Sequence, residues 1–194
     1  MLQLHLRPRR NPFRQFARDA RAVAAVEFAL ILPLLVTLYF GTVEAASLYA
    51  VDRRVATVAS TMADLVSREP KCIASDTLNS YFNAASGIMQ PYSTTGLKQV
   101  VSFLAVDKTT GVVTVKWSTP NGTGAVAREK NKTTTEIGTS TQINNLAKVN
   151  GWLVAAEIQY SYLPLYGVVI KTINLSHTEY FLPRYEEEIK NTCS

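Results

Sequence analysis

The hydrophobic pattern changes character along the chain. Residues 22 to 43 are apolar almost without interruption and carry a single charge, Glu27. As a helix rising 1.5 Å per residue this run is about 33 Å long, enough to cross the hydrocarbon core of a bilayer. From Leu48 onward the apolar residues retreat to one face. Leu48, Val51, Val55, Val58, Met62 and Leu65 recur at spacings of three and four, with Asp52, Arg53, Ser60, Asp64 and Arg68 between them. The one-sided seam begins where the all-round apolar run stops. The pattern therefore predicts one helix from about residue 23 to 68, on the order of 70 Å long, apolar in its first half and amphipathic in its second.

Pro70 ends this helix, because the residue before a proline disfavours helical geometry. Ser75 or Asp76 is placed to cap a short helix, "DTLNSYFNAAS", that stops before Gly87. Four segments read as strands: 99–107, 111–118, 152–162 and 172–182. "KTTG" joins the first two as a hairpin. Residues 119–140, rich in Thr, Gly, Asn and Lys, show no periodicity and read as a loop. A second short helix, "STQINNLAKVNG", is expected before the third strand, and 163–171 reads as an apolar connection. The sum is an α+β fold: a long N-terminal helix packed through its amphipathic half on a small antiparallel sheet.

Charge sharpens the picture of the N-terminus. The formal net charge is +5, but Arg7, Arg9, Arg10, Arg14, Arg18 and Arg21 all precede the apolar run, against one acid, Asp19. The basic balance belongs to an arm, and the remainder is close to neutral. Three readings of the apolar run compete. A buried core helix would show a polar face, and "FALILPLLVTLYFG" has none. A cleaved secretory signal fits the basic arm and the small residues of "VEAAS", but the helical seam continuing past that point is unlike a mature N-terminus. A transmembrane anchor accommodates both halves. The expected organisation is a cytoplasmic basic arm or leader (1–21), a transmembrane segment (22–43), an amphipathic continuation (44–68) and an exported α+β domain (69–194). The arginines beside the membrane end keep the N-terminus cytoplasmic. In a bacterium the C-terminal domain then lies in the periplasm or beyond. Pro33 and Gly41 interrupt the apolar helix, either as a tolerated kink or as a functional bend.

Little else in the chain carries chemistry. Two cysteines far apart, Cys72 and the penultimate Cys193, suggest one disulfide tying down the C-terminus in an oxidising compartment; two free thiols are the alternative. Two histidines, His5 and His177, do not complete a metal set. There is no phosphate-binding glycine loop and no nucleophile elbow. His177 alternates on a strand and reads as a surface or hydrogen-bonded histidine. Glu186 to Glu188 read as a solvated charge run. Tyr160, Tyr162, Tyr166, Tyr180 and Tyr185 read as core or strand-pairing residues before a binding surface. "NGT" and "NKT" match glycan acceptors but carry no weight in a bacterial setting. No enzyme activity, cofactor, small-molecule substrate or nucleic-acid partner is expected. Six arginines beside a membrane span are explained by topology.

The string "RAVAAVEFALILPLLVTLYFGTVEAASL" resembles the TadE-like family, pilin-like subunits of the tight-adherence branch of type IV pili. The resemblance rests on Arg21, Ala22, the apolar Val23 to Val26, Glu27 followed by Phe28, then Ala29, Leu30, Leu32, Pro33, Leu34, Leu35, Gly41 and Glu44. It covers about 30 residues and implies a minor pilin or pseudopilin at the inner membrane. Its partners would be other pilins, the pilus-assembly platform and a prepilin peptidase. The peptidase would cut between Ala22 and Val23, where the family pattern favours glycine at the position of Ala22. Cleavage would make Glu27 the fifth mature residue, set to meet a neighbouring subunit's new ammonium group and fix axial register. A carboxylate at headgroup depth, reaching to water or paired with Arg18 or Arg21, is the plainer account of Glu27. The alternative to an assembly role is a statically anchored periplasmic binding module, acting in adhesion.

Overall fold

The computed structural model describes residues 20–134, 145, 147, 151–164, 172–185 and 187–193. The basic arm, most of the second short helix expected before the third strand, and most of the connection at 163–171, with Tyr166, lie outside the described residues. By internal contacts the chain divides into residues 1–46 and 47–194. In the first unit the described residues form the opening of helix α1, which runs Ala20–Ser67.

The second unit is the α+β domain. It holds the rest of α1, helix α2 (Ser75–Gly87), and strands β1 (Leu97–Val106), β2 (Val113–Asn121), β3 (Thr133–Thr134), β4 (Trp152–Tyr162) and β5 (Ile173–Phe181). The sheet order is β3-β2-β1-β4-β5, with every neighbouring pair antiparallel. Four long strands carry the sheet, and two-residue β3 extends one edge. The expected four-stranded plan and the α+β class are both present. The segment read as an unstructured loop differs: β2 reaches Asn121, and β3 falls inside it, pairing Val113 with Thr134 and Thr114 with Thr133.

The amphipathic half of α1 lies against the sheet because its apolar positions follow the 3.6-residue period. Val51, Val55, Val58, Ala59, Met62, Ala63 and Val66 are fully buried. Val66, rather than the expected Leu65, completes the seam, and Leu65 is only half-buried. A helix advances 100° per residue, so a strict alternation of threes and fours drifts off the face after several turns. Ala59 and Ala63 fill the seam between the larger side chains. Leu78, Phe82 and Ala85 of α2 join the same core, with Val101, Phe103, Trp117, Val154, Ala156, Ile158, Tyr160 and Tyr162 from the strands. Tyr160 and Tyr162 are therefore core residues, and Tyr185 is exposed. The cap of α2 is Ala74, with no side-chain cap bond, so neither Ser75 nor Asp76 plays the expected part. Both already lie inside the helix, where Asp76 is in the first turn and favourable to the helix dipole.

Central strand β1 is buried on both faces. Its second face forms a smaller core of Leu104, Val106, Val113, Val115, Ala147, Leu153 and Ala155. Beside this core, the segment after β2 crosses the sheet on polar contacts. The Arg128 backbone N–H donates to Ser118 Oγ (3.0 Å), Ser102 Oγ donates to Ser118 Oγ (2.9 Å), and the Arg128 guanidinium pairs with Glu157. Gly122 lets the chain turn off β2. Its φ is +97°, and a Cβ there would sit 2.2 Å from the Leu97 carbonyl oxygen, so only glycine fits.

The edges of the domain are pinned by polar contacts. His177 on β5 meets Asp52 on α1 at 2.7 Å, the satisfied histidine the sequence allowed. Arg54 donates to the Ile88 carbonyl at 2.7 Å and lies over the Tyr92 ring. The Tyr81 phenol, hydrogen-bonded to Glu69 and partly buried, is pushed up to about 12. At the hairpin of β1 and β2, Asp107 Oδ1 accepts bonds from the N–H groups of Thr109 and Thr110 and from the Thr110 hydroxyl. These bonds, the Thr110 N–H first, hold its carboxyl below the ordinary 3.8. A group with a depressed folded pKa supplies stability above its unfolded value that is lost as pH falls through the folded one. Carboxyl-detected NMR titration should therefore place the Asp107 midpoint below 3.8. Thr110→Val, which removes one of the three donors, should move that midpoint upward.

Candidate functional site

The feature that the α+β core does not account for is the opening of α1. Every described side chain from Val23 to Thr42 is exposed, among them Phe28 at 60%, Leu30 at 75% and Leu34 at 68%. Large apolar patches on a soluble monomer are rare and mark a surface that something else covers. The helix is long and apolar enough to cross a membrane, and none of its apolar window is buried inside the protein. That separates it from a soluble core helix, which passes the same length test by being enclosed.

In a lipid setting hydroxyl groups, like backbone groups, must find partners within the helix. Pro33 has no N–H, which removes one bond from the ladder. The Thr37 hydroxyl donates to the Pro33 carbonyl (2.8 Å), and that of Thr42 donates to Tyr39's (2.8 Å). The helix runs through Pro33 without a break. Tyr39 and Phe40 meet edge to face at 5.6 Å near the far end of the run, and tyrosine is enriched at membrane–water boundaries. On one side, Leu34, Thr37, Leu38, Gly41, Thr42 and Ala45 form a shallow groove at helical spacing, notched at Gly41. The sequence showed Gly41 only as an interruption. Its place in the groove appears once the 3.6-residue period sets it beside Leu34, Leu38 and Ala45.

Ala22 and Val23 are the third and fourth residues of α1, so the bond between them lies in its first turn. That turn has no intrahelical partners for its leading N–H groups and is the easiest part of a helix to unwind. Glu27 stands one turn after Val23, exposed, with Phe28 beside it, also exposed. In the α+β domain Cys72 and Cys193 form a disulfide. The tail beside it is held by backbone bonds. The N–H of Ile73 donates to the Lys190 carbonyl (2.8 Å), and that of Lys190 donates to the Lys71 carbonyl (2.9 Å). Among the described residues no group of His, Cys, Asp and Glu side chains is arranged to hold a metal.

One N-terminal helix, uncovered in its apolar opening and packed on an antiparallel sheet in its amphipathic continuation, defines an α+β protein with one helix fit to cross a membrane among the described residues. Residues 22–64 match the family model of TadE-like proteins, a segment that takes in Ala22, Glu27, Pro33 and the whole packed seam up to Ala63. The match is a likeness to TadE-like proteins over the helix alone. It spans less than a quarter of the chain. No curated protein and no solved structure matches the chain.

Proposed function

We propose that this protein is a minor pilin or pseudopilin that acts in assembling a tight-adherence pilus. The observation that carries the reading is the uncovered apolar opening of α1 with one acid, Glu27, near its start. An exposed apolar helix is stable in two surroundings, lipid and a bundle of similar helices. A pilin-like subunit passes from the first to the second. Its N-terminal arm is cytoplasmic by the arginine bias, its α+β domain is periplasmic, and the disulfide accords with that compartment. Other pilins pack on the apolar helix, and the assembly platform and a prepilin peptidase act on it.

In this reading the peptidase cuts between Ala22 and Val23. The new ammonium at Val23 and the positive end of the shortened helix then both favour the Glu27 carboxylate one turn away. Before a neighbouring helix arrives, that carboxylate sits at headgroup depth. Afterwards it meets the neighbour's ammonium in a low-dielectric bundle, where an unpaired charge is costly and a paired one fixes register.

The test is the mature N-terminus in membrane and sheared-surface fractions, read by mass spectrometry. A chain beginning at Val23, methylated or not, and present in the sheared fraction is expected. An intact Met1 confined to the membrane would overturn the assembly reading and leave a static anchor for a periplasmic binding domain.

A further inference from the structure

The end of the α+β domain where α1 finishes carries an open cleft of about 700 Å³, within the size range of small-ligand sites. It lies between the end of β1, the β1–β2 hairpin, the start of β2 and the start of β4. We propose that this cleft is a binding site for a carboxylate-bearing sugar, with Trp152 as its floor and Lys108 and Lys116 as its cationic walls.

Three features converge. The first is a β-bulge. Phe103 pairs with Trp117 and Leu104 with Val115, so Lys116 is the extra residue of β2. A bulge re-aims the side chain it inserts. Here it carries Lys116 over the Trp152 ring, with Nζ 5.9 Å from the ring centroid. The second is the indole. Trp152 stacks on Phe103 (5.5 Å, 22°) and is only half-buried, so it is a rigid aromatic surface that also lines the cleft. The third is Gly151, whose positive φ of +85° aims the chain into β4. The Lys108 side chain lies where a Cβ at Gly151 would stand, with Cε 3.0 Å from that position. Neither lysine makes an ion pair among the described residues.

The lining chemistry selects the ligand class. The apolar side of a pyranose suits the indole of the lining, and its carboxylate suits two ammonium groups that make no ion pair among the described residues. Asp107 also lines the cleft, but its Oδ1 is occupied by the hairpin turn. The Thr114 hydroxyl supplies a neutral polar contact. Two lysines against one aspartate are too few for nucleic acid, whose affinity rests on many phosphate contacts. A bare anion would leave the aromatic floor unused.

The full-length protein in a zwitterionic detergent, titrated calorimetrically with methyl glucuronide and with N-acetylneuraminic acid, tests this. Saturable binding of one of them is expected. Lys116→Gln and Lys108→Gln should each weaken it about tenfold or more with unchanged thermal unfolding. Trp152→Phe should weaken it and abolish the ligand-induced fluorescence change, leaving the emission of buried Trp117. The proposal is overturned if neither sugar acid binds, or if methyl glucoside, acetate or inorganic phosphate binds equally well. Binding that is indifferent to both lysine changes overturns it too.

Discussion

Replacing both Cys72 and Cys193 by serine should destabilise the α+β domain by about 2–4 kcal/mol and release the C-terminal tail first. The bridge joins residues 121 apart in sequence. In the chain-entropy model a crosslink closing a loop of that size restricts the unfolded ensemble by up to about 4.7 kcal/mol, and real bridges deliver less. The effect therefore acts mainly on the unfolded chain. What it secures in the folded one is a short strap. Ile189 is fully buried against the main core, and its carbonyl accepts the Trp117 indole N–H at 2.6 Å. Lys190 exchanges backbone bonds with Lys71 and Ile73, and the Arg184 N–H caps the Ser67 carbonyl near the end of α1 (2.8 Å).

These contacts are local to a dozen residues at the chain end, where fraying is easiest. Without the crosslink the strap opens at a lower free energy than the sheet. Hydrogen exchange at the amides of Ile73 and Lys190 should accelerate more than exchange in β1 and β4. The melting temperature should drop by about 5–15 °C, using about 2–4 °C per kcal/mol for a chain of this size. Reductant should lower the wild type toward the double variant and leave the double variant unchanged. A loss below about 1 kcal/mol, or uniform acceleration of exchange across the sheet, would contradict this account.

The long helix and the strand pairs were legible because they announce themselves by period. Val51, Val55, Val58 and Met62 are apolar against charged neighbours, and β4 alternates buried and exposed from Ile158 to Tyr162. Ala59 and Ala63 are as buried as the valines, yet alanine sits at either kind of position and carries no signal alone. The second core was hidden for another reason. It draws on Ala147 from a segment with no alternation, and the neighbouring crossing is fixed by Arg128, Glu157 and Ser118, polar residues distant in sequence. Lys116 and Trp152 read as unremarkable strand residues, since their meeting depends on a one-residue bulge that no periodicity reveals. Glu27 was the reverse case. It is conspicuous as the lone charge of an apolar run, while the partner proposed for it belongs to a neighbouring subunit.

That proposed pairing makes Glu27→Ala the most consequential functional substitution. The variant chain should still insert, because removing a charge makes the apolar run more favourable to lipid, and should fold its α+β domain normally. If cleavage occurs between Ala22 and Val23, the mature chain should carry a Val23 ammonium with no carboxylate on its neighbour to receive it. The opposite ends of the interaction predict the remaining variants. Glu27→Gln keeps shape and hydrogen bonding but not charge, and should fail nearly as fully as alanine if the pairing is ionic. Glu27→Asp keeps the charge on a shorter stem and should retain part of the activity. Breaking a buried ion pair from one side costs about 3–5 kcal/mol per contact, enough to reduce incorporation by more than a hundredfold. The measurement is the amount of this protein, and of pilus, in sheared fractions, alongside its level and processed N-terminus in the membrane. Loss from the sheared fraction with normal membrane level and processing is the expected result. Full assembly by the alanine variant would show that Glu27 merely rests at headgroup depth, and the register account would fall while the membrane anchor stood.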